Sequence, residues 1–211
     1  MKSYIFCFLI VLQLKSLAQS PLRHIILHRK VLHSEVPTVL PDSADRALRV
    51  AMFVFNSKEF QDSLSMLTFK YSNHCKNCGH CVHNRRERIS SKTIFDSLYR
   101  KPEVFLIMDL QKVGVQPEGG KCFGLGATCP ETDSVTSYFA NINCDMGDDI
   151  PFTLAYGVHL CHEFMHDVGY CHTDHVDDVA EKVGWIAFYF VNKWYHEKNS
   201  TFIAEINKTA P

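Results

Sequence analysis

The chain has 211 residues, and its 22 lysines and arginines nearly balance its 23 aspartates and glutamates, giving a formal net charge of −1. This length fits one domain with at most a small appended subdomain. The near-zero charge argues against nucleic acid as a partner, because binding phosphates needs a basic face. With 46% hydrophobic residues, the chain is too apolar to be disordered.

The first 18 residues are typical of a secretory signal peptide. Lys2 supplies the positive start, an apolar run of eleven residues follows at 4–14, and Ala18 completes a small-residue cleavage site. A membrane-spanning helix needs about 20 apolar residues, so this run is too short for one, and no later run approaches that length. We therefore expect an exported protein, secreted or periplasmic, with no transmembrane segment in the mature chain.

Export makes the cysteines candidates for disulfide bonds. Removal of the signal peptide takes Cys7 away and leaves eight, an even number that favours up to four disulfides. Cys161 and Cys171 each directly precede a histidine, and we expect disulfides there; a buried free thiol is the alternative for Cys161, which lies on an apolar helix stripe. The eight are Cys75, Cys78, Cys81, Cys122, Cys129, Cys144, Cys161 and Cys171.

The densest group of cysteines contains two Cys-x-x-Cys steps, Cys75 to Cys78 and Cys78 to Cys81. This spacing also suits a structural zinc ion or a redox pair. Because an exported protein favours disulfides, a second, structural zinc ion at these three cysteines is the alternative rather than the expectation.

The first elements after the signal peptide are an irregular segment and two helices. Residues 19–41 contain three prolines and predict an irregular leader over the surface. Capping residues predict helices over about 42–55 and 56–67. Apolar and β-branched density predicts a buried strand over 103–109. The other elements predicted before residue 150 are a short helix at 91–99 and strands at 123–128 and 136–143.

Two longer helices complete the chain, an active-site helix at about 150–168 and a C-terminal helix at about 179–196. The order of helices, then strands, then helices differs from regular βαβ alternation and predicts an α+β fold. We therefore expect a single domain over residues 42–211.

The helix predicted at about 150–168 contains His162-Glu163-Phe164-Met165-His166, which is the H-E-x-x-H pattern. Residues four apart lie on one helix face, so His162 and His166 can bind one metal ion. Neutral imidazole is a good zinc ligand, and a catalytic zinc keeps three protein ligands and a water. Glu163 lies about 100° further round the helix, where it can act on that water as a general base without binding the metal.

A third ligand is available just beyond the helix. Gly169 is typical of a residue that ends a helix in a left-handed conformation, and the resulting turn would bring His172 back to the metal. Glu181 is an alternative third ligand, although it also fits a capping box with Asp178. Tyr170 is a candidate donor for the oxyanion. We keep His172 as the third ligand.

The same residues carry a resemblance to a known family. His162, Glu163, His166, Gly169 and His172 match the H-E-x-x-H-x-x-G-x-x-H signature of the metzincin zinc peptidases. The resemblance implies a zincin fold with a mixed sheet, a long active-site helix and a small C-terminal helical subdomain. It also implies one catalytic zinc ion on the three histidines, Glu163 as the general base, and a secreted endopeptidase that acts on peptide or protein substrates.

The resemblance extends to two strands and includes one departure. The predicted strands at 123–128 and 136–143 resemble the family's substrate-pairing edge strand and its neighbour. Metzincins place a methionine turn beneath the metal, but no methionine follows His172, so another residue must take that place, and segment 179–185 is the candidate. A non-catalytic extracellular binding protein on a zincin scaffold is the alternative function, and the intact Glu163 favours the enzyme.

Overall fold

The computed structural model describes residues 22–69, 73–74, 89–112, 124–172 and 178–208. The predicted signal peptide lies outside the described residues, as do Cys122 and the predicted disulfide or zinc site at Cys75, Cys78 and Cys81. Within the described ranges, no helix combines the length and the apolarity that crossing a membrane requires.

The described residues form seven helices and eight strands, numbered here in chain order. The helices are α1 (Pro41–Asn56), α2 (Lys58–Met66), α3 (Ser91–Leu98), α4 (Phe139–Met146), α5 (Phe152–Asp167), α6 (Val179–His196) and α7 (Ser200–Ile206). The strands are β1 (Ile26–Ser34), β2 (Thr68–Phe69), β3 (Asn73–His74), β4 (Ile89–Ser90), β5 (Glu103–Gln111), β6 (Gly126–Thr128), β7 (Ser134–Tyr138) and β8 (Tyr170–Cys171). The architecture is therefore mixed α+β, as the sequence predicts.

Four of the strands form a mixed sheet in the order β1-β5-β7-β6. β5 runs parallel to β1 and β7, whereas β6 pairs antiparallel with β7. Along β5, Leu106 and Met108 are fully buried, while Phe105 between Val104 and Leu106 is 52% exposed. α1 and α5 pack against each other and against the sheet, which places the core between the two helices and the strands.

The prediction of an irregular leader is wrong for residues 26–34, which form the nine-residue strand β1. This strand pairs with β5, about 77 positions further along the chain, so the interaction that orders it is not local. Ile25 and Leu27 anchor it in the core. Histidines and basic residues interrupt the apolar pattern that would have predicted this strand. They are tolerated because β1 is an edge strand with a partly exposed face.

The predicted strand at 136–143 is also wrong in its second half. β7 covers only the first three of these residues, and α4 covers the rest. Ile142 and Met146 are four residues apart and both are buried, which is the periodicity of a helix rather than of a strand. The helices predicted at about 150–168 and 179–196 are confirmed as α5 and α6.

The other predicted elements are confirmed with shifted ends. α1 begins at Pro41, where the missing N–H removes no helical hydrogen bond. Ser57 rather than Asn56 caps α2, through a hydrogen bond to its hydroxyl from the N–H of Phe60. The side chain of Asn56 instead pairs with the backbone of Ile25, which ties the end of α1 to the start of the sheet.

The described cysteines fall into two groups. Cys129, Cys144 and Cys171 are each disulfide-bonded, which agrees with the expectation for Cys171. Cys161 is a free and buried thiol, so the disulfide expected there is wrong and its alternative is confirmed. If the predicted signal peptide is removed, seven other cysteines remain, an odd number that allows at most three disulfides within the chain rather than four.

Candidate metal centre

The centre is built on α5, a helix enclosed by neighbouring elements. α1 crosses it closely: a Cβ on Gly157 would lie 2.5 Å from the Cβ of Val50, so the crossing requires glycine. α6 packs against α5 as well. His162 and His166 lie one turn apart on this helix, and His166 is buried. The packing therefore fixes the direction in which both imidazoles point.

Gly169 reverses the chain after α5, as predicted. Its φ of 101° lies in the left-handed region that favours glycine. β8 follows immediately and pairs antiparallel with β3. This turn carries His172 back to the two helical histidines.

The Nε2 atoms of the three predicted ligands form a nearly equilateral triangle. The distance is 3.1 Å from His166 to His162, 3.1 Å from His166 to His172, and 3.3 Å from His162 to His172. A tetrahedral metal ion with bonds of about 2.0–2.1 Å to nitrogen holds its ligand atoms about 3.3 Å apart. The triangle has this size, and the group could hold a metal ion.

The second ring nitrogen of His166 and that of His172 are also engaged, which orients the first. The Nδ1–H of His166 donates to the carbonyl of Tyr170 at 2.5 Å. The Nδ1–H of His172 donates to the carboxylate of Asp178 at 3.1 Å. An imidazole that donates from one nitrogen presents a lone pair on the other, so these bonds aim the Nε2 atoms at a common point.

The start of α6 forms the wall behind the cluster. His162 hydrogen-bonds to the backbone of Ala180, and a Cβ on Gly184 would lie 3.2 Å from its Nδ1. Asp178 caps α6 by accepting the N–H of Glu181 at 2.8 Å, while its other carboxylate oxygen binds the third histidine. The contacts at Ala180 and Gly184 fall in the segment that the sequence singled out to replace a methionine turn.

The histidines differ in their electrostatic surroundings. Burial lowers the pKa of His166 to about 4 and places the pKa of His162 well below its ordinary value. Neutral imidazole is the form that binds metal ions. His172 is more exposed, and its hydrogen bond to Asp178 raises its pKa. Two of the three candidate ligands are therefore held neutral by burial, while protons would compete with a metal ion for the third on the open side.

Two alternative assignments from the sequence are not favoured by this geometry. The Oε1 atom of Glu181 lies 3.7 Å from Nδ1 of His172, the ring nitrogen outside the triangle, which favours His172 over Glu181 as a ligand. The hydroxyl of Tyr170 is 3.0 Å from the hydroxyl of Ser97 on α3. Tyr170 therefore directs its hydroxyl to α3 and contributes its carbonyl to the cluster.

Glu163 lies on α5 beside the triangle but outside its ligand set. Its side chain is 3% exposed and faces Thr128 of β6. Its Oε1 atom is 3.7 Å from Nε2 of His159. Burial raises the pKa of Glu163 to about 7, which suits a group that takes up and releases a proton near neutral pH.

Sequence reasoning missed two residues of this site. It assigned Asp178 only as a helix cap and did not predict its hydrogen bond to His172; the signal was a carboxylate six residues after a candidate ligand. It also gave no role to His159, which lies three residues before His162 and therefore about 60° round α5 from it, on the adjacent face.

The described residues thus contain three imidazole nitrogens arranged for one ion, with a buried carboxyl group on the same helix. This donor set suits several transition metals, zinc among them. No protein-family model matches the chain, and no curated protein or solved structure matches it either.

Proposed function

We propose that this protein is a secreted, zinc-dependent endopeptidase of the metzincin type. The observation that carries the proposal is the triangle of Nε2 atoms from His162, His166 and His172, 3.1–3.3 Å apart. Three protein nitrogens leave the fourth position of a tetrahedral ion open, which is the pattern of catalytic rather than structural zinc sites. The buried Glu163 beside the triangle supplies the base that such a site needs.

The architecture supports the same proposal. The mixed sheet, the long helix α5 with two ligands, and the C-terminal helices α6 and α7 are the parts that the resemblance implies. β6 is the last strand of the sheet and runs close to α5, because a Cβ on Gly126 would lie 2.5 Å from Nε2 of His159. An extended peptide substrate could add to the outer edge of β6 by strand pairing.

The chemistry follows from the position of Glu163. Zinc, when bound, lowers the pKa of a water to about 7 and polarises a carbonyl group. Glu163 accepts a proton from the water as the water oxygen attacks the carbonyl carbon of the peptide. It then delivers this proton to the leaving nitrogen, the C–N bond breaks, and the products are a carboxylate and an amine.

The proposal is tested by Glu163→Gln, which keeps the shape of the side chain and removes the base. We expect one zinc ion per chain in wild type and variant, and a loss of peptide hydrolysis of about 10²–10⁴-fold. The control is Glu59→Gln, because Glu59 is an exposed residue on α2. This variant should cleave like wild type. Zinc content and chelator-sensitive cleavage of a denatured protein substrate are the measurements.

The outcomes distinguish the enzyme from a binding protein. Cleavage by Glu163→Gln at the wild-type rate would show that hydrolysis does not come from this site. Bound zinc without any cleavage by wild type would favour the non-catalytic scaffold.

A further inference from the structure

A buried polar cluster lies on the side of α5 that faces β6 and β7. Within the described residues, seven buried side-chain oxygen or nitrogen atoms have no partner at full hydrogen-bond geometry, and six of them are concentrated here, where Thr128 lies beside Glu163 and Ser137 beside Tyr156. These six atoms belong to Thr128, Ser137, Tyr156, His159 and Glu163. An unpaired buried polar group costs about 1–3 kcal/mol, so a concentration of them beside a candidate active site calls for a functional explanation.

His159 is the centre of this cluster. Its side chain is 1% exposed, and neither ring nitrogen has a hydrogen-bond partner among the described residues. Its Nε2 atom is 3.7 Å from Oε1 of Glu163, one helical turn away. The distance exceeds that of a hydrogen bond, but a change of less than 1 Å would close it.

The neighbouring strand leaves room for this ring. A Cβ on Gly126 would lie 2.5 Å from Nε2 and 2.7 Å from Cε1 of His159, so any larger residue would displace the imidazole. Gly126 pairs with Ser137 across β6 and β7, and Ser137 is fully buried. The strands therefore enclose the ring and hold it against Glu163.

We propose that His159 is a positioning residue, which donates a hydrogen bond from Nε2 to the carboxylate of Glu163 and holds it toward the nucleophilic water. The effect of this contact on catalysis rests on the proposed function, whereas the contact between His159 and Glu163 does not depend on it.

The neutrality of His159 suits this role. Burial lowers its pKa to about 3, so the ring donates one hydrogen bond without bringing a positive charge to the carboxylate. A cation at this position would stabilise the carboxylate and weaken it as a base. A neutral donor fixes the orientation of Glu163 while leaving it able to take up a proton.

The kinetic test compares two variants of the zinc-loaded mature protein. His159→Leu removes the donor, and His159→Gln keeps a donor near the position of Nε2. We expect His159→Leu to retain one zinc ion per chain and a KM within about twofold, with kcat lowered about 10–100-fold, and His159→Gln to recover most of kcat. Wild-type kcat in His159→Leu, or equal losses in both variants, would overturn the proposal.

A second measurement reads the contact without activity. Long-range ¹H–¹⁵N spectra of histidine-labelled, zinc-loaded protein report which nitrogen of each ring carries the proton. We expect the His159 proton on Nε2, with a signal that moves in Glu163→Gln, while the signal of His28, which stacks on Phe105 in the sheet, stays in place. A proton on Nδ1, or a signal indifferent to Glu163→Gln, would overturn the proposal.

The two measurements also separate this inference from the proposed function. If wild type cleaves no peptide, the endopeptidase proposal fails, and the spectra alone decide whether His159 contacts Glu163. If His159→Leu does not fold, His159→Gln and the wild-type spectra still decide: kcat of His159→Gln near wild type with the proton on Nε2 supports the contact, and the opposite result excludes it.

Discussion

Two adjacent faces of α5, one toward the candidate metal centre and one toward β6 and β7, contrast in how their polar atoms are satisfied. On the metal-facing side, Nδ1 of His166 binds a backbone carbonyl, Nδ1 of His172 binds a carboxylate, and His162 hydrogen-bonds to the backbone of Ala180. On the sheet-facing side, both ring nitrogens of His159 are buried without a hydrogen-bond partner in the described part of the chain, and the buried hydroxyl of Tyr156 meets only Ser137, short of full hydrogen-bond geometry. One helix therefore carries both a completed polar network and an incomplete one.

The difference shows where this fold accepts a loss of stability. The metal-facing side is organised in advance, so an ion would find its ligands already oriented and little free energy would be spent on rearranging them. The sheet-facing side leaves buried donors and acceptors unpaired, which lowers the free energy of unfolding. Such groups are retained at functional sites, where their chemistry outweighs this loss.

Removal of a buried candidate ligand should have the largest effect on zinc binding. His166→Ala deletes the ligand that is both buried and bonded to Tyr170, so we expect zinc content well below one equivalent per chain. The control is His28→Ala, in the sheet. Metal analysis after dialysis provides the measurement, and full zinc occupancy in His166→Ala would exclude these histidines as the site.

A smaller effect is expected when a ligand keeps its place but loses its support. Asp178→Asn preserves a good helix cap and removes the charge that His172 binds, so zinc affinity should fall about 10–100-fold with little change in stability. Asp178→Ala should lower the zinc affinity to a similar degree and also lower the free energy of unfolding by about 1 kcal/mol through loss of the cap.

Zinc competition with a chelator and urea unfolding separate these two roles of Asp178. Unchanged zinc affinity in both variants would show that the carboxylate serves only as a cap.

The smallest expected effect is a difference in the free energy of unfolding, which should separate a buried hydroxyl that lacks a full hydrogen bond from one that makes one. Tyr156→Phe removes a buried hydroxyl whose contact with Ser137 falls short of full hydrogen-bond geometry, so the free energy of unfolding should change by less than about 0.5 kcal/mol or rise. Tyr99→Phe removes a hydroxyl that donates to the carbonyl of Phe55 and should lower it by about 1–2 kcal/mol. Urea unfolding at fixed zinc concentration measures both, and equal losses would contradict the contrast.

The parts of this molecule that depend on local sequence were the predictable ones. α5, α6 and the turn at Gly169 follow from helical periodicity, capping residues and a glycine at the end of a helix, and the grouping of the three histidines follows from their spacing on those elements. β1 was missed because its order comes from pairing with β5 across distant sequence. α4 was missed because alternation over a few residues resembles a strand until Ile142 and Met146 are seen to share a buried face.

The parts of the site that involve two elements could not be read in this way. The sequence predicts Asp178 as a helix cap. Its second role, supporting His172, arises because β8 brings that ring to the start of α6. The contact between His159 and Glu163 has helical spacing, but its confinement depends on Gly126 of β6. In each case a local pattern identified the residue, and the tertiary fold supplied its second role.

The free thiol of Cys161 lies on the same helix as two of the ligands and is fully buried. Burial raises its pKa, so the thiol stays protonated and unreactive while α5 is packed. A thiol reagent can reach it only in conformations in which α5 has moved away from its neighbours. Cys161 is therefore an internal reporter of local opening, and an ion that binds only the closed form would suppress its labelling in proportion to the occupancy of His162 and His166.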